Sequence, residues 1–132
     1  MIPDTNILVR AFIRDNEAQT EAAQELLRRA EHIHISTVAL CEFVWALRQV
    51  YKKTRLDVVN AIGLLVADER VITDRAALEA GLAFLSAGCD FADGVIEFQG
   101  RRLGGEVFVT FDRKAAAAAS SQGRRSIFLD TQ

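Results

Sequence analysis

The 132-residue chain has the size of one domain, half of it is hydrophobic, and its formal charge at neutral pH is −2. That is enough apolar material for a core built without disulfides or a structural metal, and the acidic balance argues against a generic nucleic-acid coat, which is normally basic. No apolar run approaches the roughly 18 residues that span a bilayer, and Met1 leads directly into Pro3-Asp4 rather than into a signal peptide, so a cytoplasmic protein without a membrane partner is expected. The two cysteines, Cys41 and Cys89, form no spaced framework and read as free thiols of a reducing compartment, with a single disulfide as the alternative.

Along the chain, short apolar stretches alternate with helical periods. Ile33–Ile35, Val71–Ile72, Val107–Val109 and Ile127–Leu129 read as strands; Glu17–Arg29, Val38–Tyr51, Leu56–Ala67, Ala76–Leu85, Phe91–Arg102 and Lys114–Ser120 read as helices. One proline and eight scattered glycines leave no flexible linker, so residues 1–132 read as one domain. Strands alternating with helices predict an α/β fold, a parallel β-sheet flanked by helices on both faces. Ligands of such sheets bind beyond the carboxyl ends of the strands, where loops feed helix N-termini.

Acid occupies those junctions. Asp4-Thr5-Asn6 follows the first short apolar segment, Asp90-Phe91-Ala92-Asp93 opens a helix, and Asp112 follows Val107–Phe111. Each aspartate taken alone suits a helix N-cap, worth about 1 kcal/mol. Glu42 has no such explanation, because it lies mid-helix. Leu40, Phe43, Val44, Leu47 and Tyr51 form one apolar face and Glu42 points almost opposite. Val38 and Trp45 flank it at i−4 and i+3, so its own side is not expected to be a solvated face, although an ordinary surface glutamate is the plain alternative.

Asp90, Asp93 and Glu97 are spaced i, i+3, i+7 and share one stripe of their helix. Two carboxylates about 5 Å apart repel by roughly 3 kcal/mol at an effective dielectric near 20, more than a cap returns. Acids clustered without arginines ask for a cation, and an all-oxygen donor set suits Mg²⁺ or Mn²⁺ rather than zinc. His32 and His34 flank Ile33 on one strand face, but no Cys or carboxylate motif stands beside them in sequence, and they read as exposed side chains rather than as a metal pair.

Four blocks carry a resemblance: Asp4-Thr5-Asn6-Ile7-Leu8-Val9-Arg10; Ile35-Ser36-Thr37-Val38 with Glu42-Phe43-Val44-Trp45-Ala46-Leu47; Asp90-Phe91-Ala92-Asp93-Gly94-Val95-Ile96; and Val109-Thr110-Phe111-Asp112-Arg113-Lys114. In this order and spacing the chain resembles PIN-domain proteins, in particular the VapC toxins of toxin–antitoxin modules. The resemblance implies a divalent-metal-dependent endoribonuclease, with Asp4, Glu42, Asp93 and Asp112 as catalytic acids and Asp90 as a further acid at the Mg²⁺ or Mn²⁺ site. It implies that Thr5, Asn6 and Thr110 orient carboxylates or water. One departure from the family pattern is the lead-in: only Met1-Ile2-Pro3 precedes the first aspartate, and Pro3, which cannot donate to a ladder, should end or edge that strand.

Basic residues beside the acidic blocks, Arg10, Arg14, Arg113 and Lys114, are candidates for contact with RNA phosphates; Arg101-Arg102 instead suits a helix C-terminus. The resemblance also implies a VapB-like antitoxin partner, promoter DNA bound only through that antitoxin, and a homodimer. The helices Glu17–Arg29 and Val38–Tyr51 are expected to supply a groove for the antitoxin, or else to be ordinary core. Two rival functions remain at this level: a catalytically silent PIN fold that acts as a binding module, and a small-molecule phosphohydrolase. The latter usually carries a second aspartate two residues after the first, where this chain has Asn6.

Overall fold

In the computed structural model, which describes residues 1–131, the chain forms two compact units, Met1–Asp74 and a second that begins at Arg75. The first contains α1 (Thr5–Phe12), α2 (Glu17–Arg29), β1 (Ile33–His34), α3 (Thr37–Trp45), a π-helical segment (Ala46–Val50), α4 (Arg55–Ala67) and β2 (Val71–Ile72). The second contains α5 (Arg75–Ser86), α6 (Phe91–Arg102), β3 (Val107–Thr110), α7 (Arg113–Ser121) and β4 (Arg125–Phe128). The α/β class is as expected, with every strand pair parallel. The strands are distributed over two ladders, β1 beside β2 and β3 beside β4.

In the first unit, β1 and β2 register Ile33 with Val71 and His34 with Ile72. Met1 extends this ladder by one residue: its nitrogen donates to the His32 carbonyl at 3.0 Å, and the His34 N–H donates to the Met1 carbonyl at 2.9 Å. Pro3 is buried just beyond, outside any assigned strand, as its missing N–H requires. Leu8, Leu40, Phe43, Val58 and Ile62 are the most deeply buried apolar side chains of this unit, and Phe12 meets Phe43 edge to face at 5.3 Å.

Asp68 and Arg70 close the lower end of α2. Arg70 donates from one guanidinium nitrogen to the carbonyls of Leu27, Arg28 and Ala30, which the end of a helix leaves without backbone partners. Asp68 holds the guanidinium through its other nitrogens at 2.7 and 3.0 Å. The Arg70 hydrogen bonds in turn hold the Asp68 carboxyl at a pKa of about 2, below the ordinary carboxylate range.

α1 was not anticipated as a helix. Its eight residues are amphipathic at the helical period, Asp4 caps them, and Leu8 and Val9 are the side chains they bury. The stretch read as one helix from Val38 to Tyr51 changes register after Trp45. The Ala46 N–H is shared between the carbonyls of Glu42 and Phe43, and the Tyr51 N–H reaches back five residues to Ala46 at 3.1 Å.

The second unit is held by the crossing of α5 on α6. A methyl at Gly94 would meet the Ala80 carbonyl oxygen at 2.4 Å, and one at Gly81 would meet the Phe91 ring at 2.6 Å. Two missing side chains therefore let the helix backbones approach, and Asp90 and Asp93 ride on the helix so placed. Phe84, Cys89, Ala115, Ala118 and Ala119 form the core beneath, with Phe108 packed against it. The alanine run that read as a helix is α7, and its small side chains let it lie close over the β3–β4 ladder. The opposite side of that ladder stays open, with Val109 and its register partner Ile127 each about half exposed. Both cysteines are free. No helix among the described residues is long and apolar enough to cross a membrane.

Candidate metal centre

Asp4 and Glu42 lie in the first unit. Asp4 caps α1, its carboxylate accepting from the Ile7 N–H at 3.1 Å, so the plain capping role is real. One oxygen of the carboxylate and the exposed face of the residue remain available. Glu42 lies mid-helix on α3 as expected, with Leu40, Phe43, Val44 and Leu47 buried behind it. The Thr5 hydroxyl donates to Glu42 Oε1 at 3.1 Å, joining the first turn of α1 to the middle of α3. The side of the helix that carries Glu42 is solvated, contrary to expectation: Glu42 is exposed, and its neighbours Val38 and Trp45 are 67% and 61% exposed. Large apolar side chains flank Glu42, but they do not enclose it.

Beside it, the half-buried Cys41 thiol is pushed up from its ordinary pKa, first by burial and then by the Glu42 charge.

Asp90, Asp93 and Asp112 lie in the second unit. Asp90 stands at the N-cap position of α6 but accepts no capping hydrogen bond, so capping does not account for it. Asp112 is a cap in full: its Oδ1 accepts from the N–H groups of Lys114 and Ala115 at 2.9 and 3.2 Å. Thr110 accepts from the Asp112 N–H through its hydroxyl at 3.0 Å, which fixes the turn out of β3. Asp93 is partly buried, and its carboxyl is raised above the ordinary range by burial first, then by the charges of Asp90 and Asp112. The three aspartates of this unit therefore sense one another.

Glu97 does not belong with them. Its side chain is 3% exposed, and Arg101 donates from Nε to Glu97 Oε2 at 2.7 Å, while Arg124 Nε stands 2.5 Å from Oε1 without hydrogen-bond alignment. The stripe of three acids inferred from helical spacing is thus two acids and one internal ion-paired glutamate. Spacing along α6 could not show this, because Arg124 comes from the far side of α7 in sequence. Arg101 and Arg102 also lie over the Phe98 ring, which suits their place at a helix end.

Of the basic candidates, Arg10 pairs with Asp15 and with the Tyr51 hydroxyl. The Arg113 guanidinium lies 4.3 Å from the centre of the Phe128 ring, and Arg14 and Lys114 are exposed. Asn6 and Arg10 line a groove of about 610 Å³ between α1 and α2, together with Ile7, Gln19, Ala22, Ala23 and Leu26. His32 and His34 are exposed side chains, as expected.

Among the described residues no set of three or more His, Cys, Asp and Glu side chains is gathered tightly enough to hold a metal ion. Within the second unit the candidate donors are all carboxylate oxygen, which suits a hard divalent cation, and the Asp93 carboxyl is raised first by burial and then by the charges of Asp90 and Asp112.

The sequence pattern of the PIN domain matches residues 1–120, and the chain belongs to the PIN domain family. This is a family of mostly metal-dependent nucleases. No individual curated protein matches the chain.

Proposed function

We propose that this protein is a metal-dependent endoribonuclease of the VapC type, the toxin component of a toxin–antitoxin module. The observation that carries the reading is Asp93: a carboxyl near a helix N-terminus in a PIN domain, raised first by its partial burial and then by the charges of Asp90 and Asp112. Acids held against their own repulsion have a use when a cation joins them.

Asp4, Glu42, Asp93 and Asp112 would hold Mg²⁺ or Mn²⁺, with Asp90 as a further acid. The bound ion supplies an acidified water and offsets charge on the phosphodiester that is cut. Thr5 fixes one oxygen of Glu42, leaving the other free to bind. Thr110 and the N-terminal amides of α7 set the direction of the Asp112 carboxylate. Arg14 and Lys114, both exposed, would meet phosphates flanking the cut.

An antitoxin of the VapB kind would lay an apolar segment into the groove between α1 and α2, whose lining is largely Ile7, Ala22, Ala23 and Leu26. α3 offers no such groove, since its apolar face is core. Promoter DNA would be met only through the antitoxin, and a homodimer and a cytoplasmic location accord with the same reading.

The experiment is cleavage of structured RNA by the purified chain with Mg²⁺, with chelator, and in the Glu42→Gln and Asp93→Asn variants. Cleavage abolished by chelator and by each substitution, in folded proteins, supports the reading. Full cleavage in chelator ends it. Turnover of a small phosphate ester with RNA left intact supports the phosphohydrolase instead.

A further inference from the structure

Two sides of α3 have opposite fates. Leu40, Phe43, Val44 and Leu47 are buried, while Val38, Glu42 and Trp45 form an outward stripe at spacings of four and three. Trp45 is the only tryptophan of the chain and is 61% exposed. Indole is one of the largest apolar groups available to a core, and tryptophan is on average well buried. Among the described residues no aromatic ring and no cation is packed on this one. The helix also changes to π geometry directly after it, a local irregularity that concentrates at functional sites.

The neighbour of the ring decides what it receives. Residues three apart on a helix have Cβ atoms about 5–6 Å from one another, so the indole stands one turn from the Glu42 carboxylate. A phosphate drawn to an ion at Glu42 brings its own base to that distance. We infer that Trp45 is a stacking platform for an unpaired base of the RNA beside the cleaved phosphate, a positioning residue of the substrate site. The inference rests on the endoribonuclease reading for its substrate. A base already stacked in a duplex has no free face to offer, so the strand must be unpaired here. Val38, one helical turn earlier on the same stripe, widens the apolar surface. The Glu42 charge repels a polyanion until a divalent ion is bound, so stacking requires the ion.

Because the chain has one tryptophan, its fluorescence reports this contact without ambiguity. The wild-type chain is titrated with octaadenylate and with a blunt duplex RNA of equal length, in Ca²⁺ and again in chelator. Saturable quenching by octaadenylate in Ca²⁺, weak with duplex and absent in chelator, is expected. With Mg²⁺, Trp45→Ala should raise KM by on the order of tenfold with kcat little changed, and Trp45→Phe should recover most of the loss. Emission unaffected by octaadenylate, or a Trp45→Ala protein with wild-type KM, overturns the inference. So does a free chain that sediments as a dimer with its tryptophan shielded from iodide, because a second copy then covers the ring. Quenching without any RNA cleavage leaves the stacking site standing and removes the nuclease reading alone.

Discussion

Thr5 and Glu42, 37 residues apart in sequence, meet through a hydrogen bond of 3.1 Å from the threonine hydroxyl to Glu42 Oε1. Both side chains stand at the surface, so the contact contributes little to stability. Its effect is to hold an exposed, otherwise mobile carboxylate in one rotamer. Thr5→Val should therefore leave the melting temperature within a few degrees of wild type while lowering Mg²⁺ affinity or turnover by roughly 10- to 100-fold. Thr5→Ser, which keeps the hydroxyl, should lose much less. Calorimetry and an RNA cleavage assay on the same preparations check both.

Asp93 should couple metal to stability. Its folded pKa is raised, so the folded chain holds this proton more tightly than the unfolded one. The resulting stability is present at low pH and is lost as pH rises through the folded pKa. Metal-free Asp93→Asn should accordingly melt higher than metal-free wild type at neutral pH, and the gap should close on acidification. Adding Mn²⁺ should raise the wild-type melting temperature and leave the variant unmoved.

Asp68 and Arg70 make the opposite pH prediction. The Asp68 pKa is lowered to about 2, so its contribution is present at neutral pH and is lost as pH falls below the ordinary carboxylate range toward that value. Arg70→Met leaves the carbonyls of Leu27, Arg28 and Ala30 without their donor and should lower stability at neutral pH. Arg70→Lys should not rescue it, because an ammonium cannot reproduce the planar fork. Urea unfolding from pH 7 down to pH 2 measures each.

Gly94 and Glu97 carry the structural burden of α6. Gly94→Ala drives a methyl into the Ala80 carbonyl, a backbone atom that cannot swing away, and should cost roughly 1–3 kcal/mol. Glu97→Ala strands Arg124 beside an apolar core and should cost about 3 kcal/mol, whereas Glu97→Met combined with Arg124→Leu should restore most of it. Glu97 is turned away from the candidate acids, so the Glu97→Met/Arg124→Leu protein should keep near wild-type activity per folded molecule, whereas Gly94→Ala shifts the helix that carries Asp90 and Asp93 and should lower activity as well.

Fold is legible in the sequence where period and chemistry agree. The helices α2, α4, α5, α6 and α7 stand close to where their apolar periods put them, and Glu42 does lie opposite the buried face of α3. Local pattern is silent where a distant residue decides the outcome. Glu97 resembles a third site acid because Arg124 is invisible from α6; α1, by contrast, carries its signal locally, an Asp4 cap before eight residues amphipathic at the helical period, and its shortness alone hides it. The expected solvent exclusion around Glu42 failed for a related reason. A hydrophobic residue on a helix is normally packed, and Trp45 and Val38 are not. The capping role of Asp4 and Asp112, the plainer of two readings, turned out to coexist with the candidate site rather than to replace it.

The most direct measurement is a calorimetric titration of Mn²⁺ into the purified chain at neutral pH, without RNA, for wild type and for Glu42→Gln, Asp93→Asn and Asp112→Asn. Saturable wild-type binding that weakens at least about tenfold in every folded variant is the predicted result. Wild-type affinity retained in all three, or a folded wild-type chain that takes up no divalent ion, would contradict the assignment of these carboxylates to a metal.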